Sequence, residues 1–268
     1  MKYKLVCVDM DGTLLDSSKK IKKRNIEVIR KADKLGVKVV LTTGRGYPFA
    51  KKFRKEMGIS TPIIASNGAY IVDGHEVMMK NVIPIETANT ILDVMNRHKV
   101  KTFIHTTEDI VYRKKDISRF LAKKFFGDSI KEIDSFEGGL KDNKDNLLKF
   151  VGISISSKKI DKVKKVLRKI DNVEVVSSSK FNCEVMIKGS SKGEAVRMMA
   201  EKYNIKQEEI MCIGDNENDL SMLQYAGCAV AMGNGTKEVK DIADYITSSN
   251  NNCGVAQAIE KLILIDKA

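Results

Sequence analysis

Two carboxylates, Asp9 and Asp11, close an apolar run near the start of the chain and are followed at once by Gly12 and Thr13. In an extended segment, residues i and i+2 point the same way, so Asp9 and Asp11 can address one site. Carboxylates that close repel one another unless a cation sits nearby, which points to a metal. Gly12 lets the turn approach a ligand and leaves backbone N–H groups for phosphate oxygens. A lone Asp-x-Asp is common in surface turns and proves little by itself. A second acidic stretch, Gly214-Asp215-Asn216-Glu217-Asn218-Asp219, follows another apolar run and opens a helix. Asp is a good helix starter, which accounts for one of these residues. Three acidic groups within five residues at a strand end (Asp215, Glu217, Asp219) fit oxygen ligation of Mg2+, which takes a few carboxylates plus waters.

Two further stretches suit an anion. Thr42-Thr43-Gly44-Arg45 comes after an apolar run and before a helix, where a hydroxyl and a helix N-terminus can meet a phosphate oxygen. Taken alone, it could equally be an N-cap. Ser190-Ser191-Lys192-Gly193 opens another helix. Its lysine is an ordinary solvated residue on its own and a phosphate clamp in combination with the others.

The elements that must position these residues alternate. Leu5 to Asp9, Val37 to Leu41 and Pro62 to Ala65 read as buried strands, separated by helical stretches that stop at Gly36 and Gly58. Asp73-Gly74 marks a hairpin. Ile210 to Ile213, Cys228 to Ala231 and a shorter strand at Asp244 to Ile246 continue the pattern, and a closing helix covers about Val255 to Leu264. Such alternation predicts parallel pairing in a three-layer α/β sandwich, with ligands at the carboxyl ends of the strands. The middle differs. It carries more charge and the runs Phe150 to Ile155, Val173 to Val176 and Cys183 to Ile187, with helices near Ile85 to Asn96, Ile117 to Phe125 and Ile160 to Ile170. The division expected is 1–83 as the first part of a core, 84–188 as an inserted α+β domain and 189–268 as the second part of the core.

At this point the residues resemble a family. Asp9-Met10-Asp11-Gly12-Thr13-Leu14-Leu15, Thr43-Gly44-Arg45, Ser66-Asn67-Gly68-Ala69, Lys192-Gly193, Gly214-Asp215 with Asn218-Asp219, and Ala231-Met232-Gly233-Asn234 occur in this order over essentially the full length. The chain resembles the haloacid dehalogenase superfamily of phosphohydrolases, and within it the Cof-type branch. The resemblance implies a Rossmann-like parallel-sheet core with an inserted cap. It also implies a Mg2+-dependent phosphatase acting on small phosphomonoesters such as sugar phosphates or phosphorylated cofactors. In that reading Asp9 attacks phosphorus and forms an aspartyl-phosphate. Asp11 protonates the leaving alcohol and then deprotonates the hydrolytic water. Mg2+ is held by Asp9, the backbone carbonyl of Asp11 and Asp215, with Asp219 and Asn218 orienting its waters or Lys192. Thr43 and Lys192 bind the phosphoryl oxygens, with Gly12, Gly44 and Asn67 beside them. Cap candidates for substrate contact are Arg113, Lys114, His105, Lys180 and Glu184. His98 and His105 are otherwise expected on the surface.

Composition bounds the alternatives. The formal charge of +12 invites nucleic acid, but the basic residues are overwhelmingly lysines spread over the chain and not clustered with aromatics, so no nucleic-acid partner is expected. The five cysteines form no CxxC pair, so neither zinc binding nor thiol catalysis is expected. No apolar run is long enough to cross a bilayer, and Asp9 interrupts what a signal peptide would continue, so a cytoplasmic location is expected. A monomer or small homo-oligomer would suffice. The competing readings are a sugar phosphomutase and, from another class, a binding protein on the same fold.

Overall fold

The computed structural model describes residues 2–127 and 129–264. The chain opens with β1 (Leu5–Asp9), α1 (Lys23–Lys34), β2 (Lys38–Thr42), α2 (Tyr47–Met57), β3 (Ile63–Ala65) and the hairpin β4 (Tyr70–Asp73) and β5 (Glu76–Lys80). Next come α3 (Ile85–Arg97), β6 (Lys101–His105), β7 (Ile110–Arg113), α4 (Arg119–Phe126), β8 (Ile130–Ile133), α5 (Phe136–Asp142), β9 (Lys149–Ile153), α6 (Ser157–Leu167), β10 (Val173–Val176) and β11 (Asn182–Ile187). The chain closes with α7 (Lys192–Lys202), β12 (Ile210–Gly214), a 3-10 turn (Glu217–Asp219), α8 (Leu220–Tyr225), β13 (Cys228–Ala231), α9 (Lys237–Asp241), β14 (Tyr245–Ile246) and α10 (Gly254–Ile259).

These elements form two sheets. The first runs β14-β13-β12-β1-β2-β3-β4-β5, parallel from β14 to β3, with β4 and β5 added antiparallel. All of β1 is buried, as a central strand covered on both faces must be. Its side chains alternate: Val6 and Val8 pack with α1 and α10, whereas Leu5 and Cys7 pack with α7 and α8. The α1 stripe of Val28, Ile29 and Ala32 explains that helix, since charged residues occupy its other face. The result is the α/β three-layer class that strand–helix alternation predicts.

The order β12-β1-β2 matters most for the site. From β1 the chain moves outward to β2 and β3, and it returns only at β12 on the other side. This reversal opens a crevice at the carboxyl ends of β1 and β12, the place where an open α/β sheet receives ligands. Asp9 ends β1, and Asp215 follows β12.

The second sheet runs β10-β11-β9-β6-β7-β8 and is antiparallel except for the β7–β8 pair. One face is covered by α3 and α6 through Ile104, Phe150 and Val185 with Ile91 and Val163. The opposite face carries Phe103, Tyr112 and Val151. Strands β6, β7 and β8 and helix α5 were not anticipated from the sequence, because their runs are short and polar residues break their period. No helix among the described residues is long and apolar enough to cross a membrane.

Candidate active site

Asp9, Asp215 and Asp219 are all buried, and each offers an oxygen within 4.8 Å of the others. Gly12 makes the cluster possible. Its φ is +86°, and a Cβ there would collide with the Asp215 carboxylate, so glycine serves both the turn and the close approach. Thr13 donates its hydroxyl to Asp215 Oδ1 at 2.9 Å. Asp219 sits on the 3-10 turn after β12, and its Oδ2 accepts the backbone N–H groups of Asp215 (2.8 Å) and Asn216 (3.1 Å). Its Oδ1 lies 2.5 Å from Lys192 Nζ, which also reaches Asp9 Oδ1 at 2.5 Å. Lys192 is completely buried at the first turn of α7, whose N-cap Ser191 accepts from the Glu194 N–H.

The charges in this cluster do not balance. Three carboxylates face a single ammonium. Burial and the neighbouring Asp219 push the Asp9 carboxyl well up, against the pull of Lys192. Burial and Asp219 likewise push Asp215 up to about 7. Burial alone would lower Lys192, but Asp219 and Asp9 outweigh it and hold the lysine charged. An all-oxygen donor set with surplus negative charge, out of reach of bulk water, fits a hard divalent cation. The residues present therefore suit a metal.

Asp11 is placed differently from its neighbours. Its side chain points away from the acidic cluster and is about a third exposed, at 32%. Arg45 binds it through both oxygens, at 2.5 and 2.8 Å, and Lys19 reaches it at 2.7 Å. Burial pushes the Asp11 carboxyl up, but Arg45 and Lys19 outweigh that and hold it at about 2. Arg45 also lies over the Phe49 ring, 4.2 Å from its centroid. Thr43 is buried at the end of β2, with its hydroxyl accepting from the Arg45 N–H at 3.0 Å. Gly44 and Asn67 meet closely, since a Cβ on Gly44 would press on Asn67 Oδ1. Asn67 adopts a left-handed conformation (φ 56°). Asn218 does not contact Lys192; it donates to Asn67 Oδ1 at 3.2 Å.

Residues of the second sheet complete the surroundings. Glu184 accepts from Asn67 at 2.8 Å and from Lys149 at 2.6 Å, and Lys149 also donates to the Gly44 carbonyl. This pair bridges β9 and β11 to the loop after β2. Burial pushes Lys149 down and Glu184 up; Glu184 still ends below its ordinary range because Lys149, Ser178 and Asn67 favour its charged form. A cavity of about 290 Å³ lies between the two sheets, with Asp9, Asp11 and Arg45 on one side and His105, Lys149 and Glu184 on the other.

His105 is not on the surface. It ends β6 opposite Lys149 of β9 and is only 3% exposed. Without recognising β6 as a strand, the sequence offered no way to see which face the ring takes. Of the other cap candidates, Glu184 lines the cavity. Arg113 instead pairs with Asp116 and packs on Phe136, and Lys180 lies over Phe181 beside a different cleft. The sequence reading did not single out Lys149, Lys19 or Thr13, and it gave Arg45 no role. Arg45 was within reach, since it ends the Thr43-Gly44-Arg45 motif. Lys149 carried no signal, being one more lysine in a lysine-rich chain.

The family profile of the haloacid dehalogenase-like hydrolases matches residues 6–259. The sequence is 33% identical to 5-amino-6-(5-phospho-D-ribitylamino)uracil phosphatase YcsE of Bacillus subtilis, over 97% of this chain and 96% of that protein. The structure is similar to that of a haloacid dehalogenase-like hydrolase from B. subtilis, with a TM-score of 0.91 at 28% identity, covering 97% of this chain and 100% of the other. It is also similar to the subclass IIB sugar phosphatase BT4131, with a TM-score of 0.82 at 26% identity, covering 96% of this chain and 98% of that one.

Proposed function

This chain belongs to the haloacid dehalogenase-like hydrolases and is a phosphatase, and from that premise we propose that it hydrolyses small phosphomonoesters with Mg2+ through an aspartyl-phosphate on Asp9. The observation that carries this reading is the buried cluster in which Asp9, Asp215 and Asp219 converge with Lys192 between two of them. A buried nucleophile with a fixed cation beside it suits attack on an anionic phosphorus centre.

In the first step an Asp9 carboxylate oxygen bonds to phosphorus, and the bond from phosphorus to the leaving oxygen breaks. Asp11 gives that oxygen a proton. In the second step a water oxygen bonds to phosphorus, its proton passes to Asp11, and the Asp9–phosphorus bond breaks to release inorganic phosphate. Asp11 must hold a proton for the first step, whereas Arg45 and Lys19 now keep it ionised. The substrate's phosphate dianion competes for these same two cations. Once they turn to it, burial is what remains to act on Asp11, and burial favours the protonated form. Asp219 and Asn218 act by position, the first through Lys192 and the second through Asn67.

Asp9, Asp215 and the backbone carbonyl of Asp11 would hold Mg2+, with Asp219 beside them. Bound there, it supplies charge that offsets the repulsion between carboxylate and phosphate. Residues 84–188 act as a cap that excludes water during the first step. The substrate class, a phosphorylated sugar, polyol or cofactor precursor, is supported by the relatives' names, which include ribitylaminouracil phosphatases and a sugar phosphatase.

The test is phosphate release from a panel of sugar phosphates, nucleotides and phosphorylated cofactors. Each is assayed with Mg2+, after EDTA treatment, and with Asp9→Asn. Turnover that needs the metal and disappears in the folded variant is the expected result. Full activity of Asp9→Asn would overturn the nucleophile assignment, and activity indifferent to EDTA would overturn the metal.

A further inference from the structure

The cavity beside Asp9 and Asp11 holds one polar side chain with nothing to bind. His105 is 3% exposed and lines this cavity, and neither of its ring nitrogens has a hydrogen-bond partner among the described residues. Buried polar atoms are normally paired, and exceptions cluster where a ligand or water completes the set. Its placement is fixed by register: His105 faces Lys149 directly across the β6–β9 pair, so both side chains project from the same face of the sheet. Lys149 is already committed to Glu184 and the Gly44 carbonyl, which leaves the imidazole as the uncommitted partner at this end. Burial, with Lys149 and Arg45 nearby, disfavours the charged ring, so His105 is neutral, with one nitrogen donating and the other accepting. A half-turn about the Cβ–Cγ bond exchanges Nδ1 with Cδ2 and Nε2 with Cε1 without changing the outline of the ring, so a polar group in the cavity can draw a nitrogen to the wall.

The rest of the wall is apolar. Phe49, Ile110, Phe126, Val151 and Ile153 line it between the reacting end and the cap. A bare polyol would strand its hydroxyls against these side chains, whereas a ring would bury apolar area there.

We propose that His105 is a specificity-determining residue, making a neutral hydrogen bond to the leaving group of the substrate, and that this leaving group carries a planar heterocycle. The proposal rests on the phosphatase reading above and narrows its substrate class. His105 is remote from the Asp9–Lys192 contacts and takes no part in the bond changes.

Three phosphate donors separate the possibilities. Acetyl phosphate is too short to reach His105 and reports the reacting end alone. Ribose 5-phosphate carries only a sugar, and pyridoxal 5′-phosphate and flavin mononucleotide carry rings. Wild-type kcat/KM is expected to be about tenfold or more higher for at least one ring-bearing donor than for ribose 5-phosphate. His105→Leu is expected to lose about tenfold on that donor, mainly through KM, while acetyl phosphate turnover stays within about twofold. His105→Gln, which keeps a donor and an acceptor, should recover most of the loss. A direct readout avoids any folding failure of the variants: with 15N-labelled histidine in Asp9→Asn, adding the ring-bearing donor should shift the His105 ring nitrogens and leave those of His75 and His98 in place. Ribose 5-phosphate turned over as well as both ring-bearing donors, equal losses on acetyl phosphate, or unmoved His105 resonances would each overturn the proposal. Absence of acetyl phosphate turnover in the Mg2+-loaded wild type would instead overturn the phosphatase reading on which it stands.

Discussion

Lys192 and Asp219 stand 27 residues apart in the chain, yet their charged atoms meet at 2.5 Å in a contact from which solvent is excluded. Asp219 divides its carboxylate between two tasks. One oxygen takes the lysine, and the other takes the backbone N–H groups that shape the loop carrying Asp215. A neutral amide at 219 keeps the size but cannot accept on both sides. Asp219→Asn is therefore expected to cut kcat/KM by about 10²–10³-fold, the scale of losing one preorganised electrostatic contact. It should also raise the Mg2+ concentration needed for half-maximal phosphate release. A variant with wild-type Mg2+ dependence and rate would show that Asp219 positions neither Lys192 nor the loop.

Gly12 is the second point at which the backbone controls the cluster. A Cβ at 12 has to enter space filled by the Asp215 carboxylate, and φ of +86° is itself costly for any other residue. Gly12→Ala is expected to destabilise the fold by roughly 1–3 kcal/mol. Relaxation should move Asp215, so Mg2+ affinity should fall with stability. Denaturant melts with and without Mg2+ check this. A variant as stable as wild type with unchanged metal binding would mean the turn relaxes without touching Asp215.

How much of this was legible in the sequence depends on whether local pattern or long-range partnership decides a position. The ends of β1 and β12 were legible because both strands are short apolar runs closed by Asp or Gly-Asp, so pattern alone put Asp9 and Asp215 at strand ends. Thr43-Gly44 and Lys192 were legible for the same reason, each opening a helix after a strand or loop. The partners were not. Lys192 reads as a solvated helix-start lysine until β12 brings Asp219 to it, and Asn218 turns out to hold Asn67 and not the lysine. The Lys149–Glu184 pair was hidden by its setting, since each sits in a strand whose register alone decides that both face inward. His105 was misplaced because β6 was not recognised, and the face taken by a strand residue flips with each step along the chain.

The acidic cluster also fixes the sign of a pH effect. Asp215 is held near 7, above the ordinary carboxyl range, and Asp9 is pushed up as well. For a group whose folded-state value is raised, the stability contribution is present at low pH, below the unfolded value, and is lost as pH rises through the folded value. Metal-free protein is thus expected to lose melting temperature as pH rises from about 5 to about 8 through the Asp215 value. A divalent cation needs the ionised carboxylates, so its binding strengthens over the same interval. The rise in melting temperature produced by Mg2+ should therefore be larger at about pH 8 than at about pH 6. Thermal melts on EDTA-treated protein, with and without Mg2+, measure both slopes. A Mg2+ effect that shrinks with pH would place the metal away from these carboxylates.

Lys149 and Glu184 make a different kind of contact, an ion pair with side chains only 2% and 4% exposed that joins the second sheet to the loop after β2. Removing one partner strands the other charge in a site that water does not reach. Lys149→Met is expected to cost roughly 3–5 kcal/mol in urea unfolding, and Glu184→Gln somewhat less, because its amide can still bond Ser178 and Lys149. The double variant should recover much of the loss, since no uncompensated charge remains. Its cost should fall well below the sum of the two single ones, a coupling of about 1–3 kcal/mol. Simple additivity would mean that solvent reaches the pair after all. The rate should respond as well, since Glu184 holds Asn67 and Lys149 holds the Gly44 carbonyl, next to Thr43. A single variant that keeps its fold at low temperature is expected to bind phosphate donors more weakly, with KM rising before kcat falls. A normal KM in a folded Lys149→Met protein would show that the pair holds the two sheets together without shaping the phosphate end of the cavity.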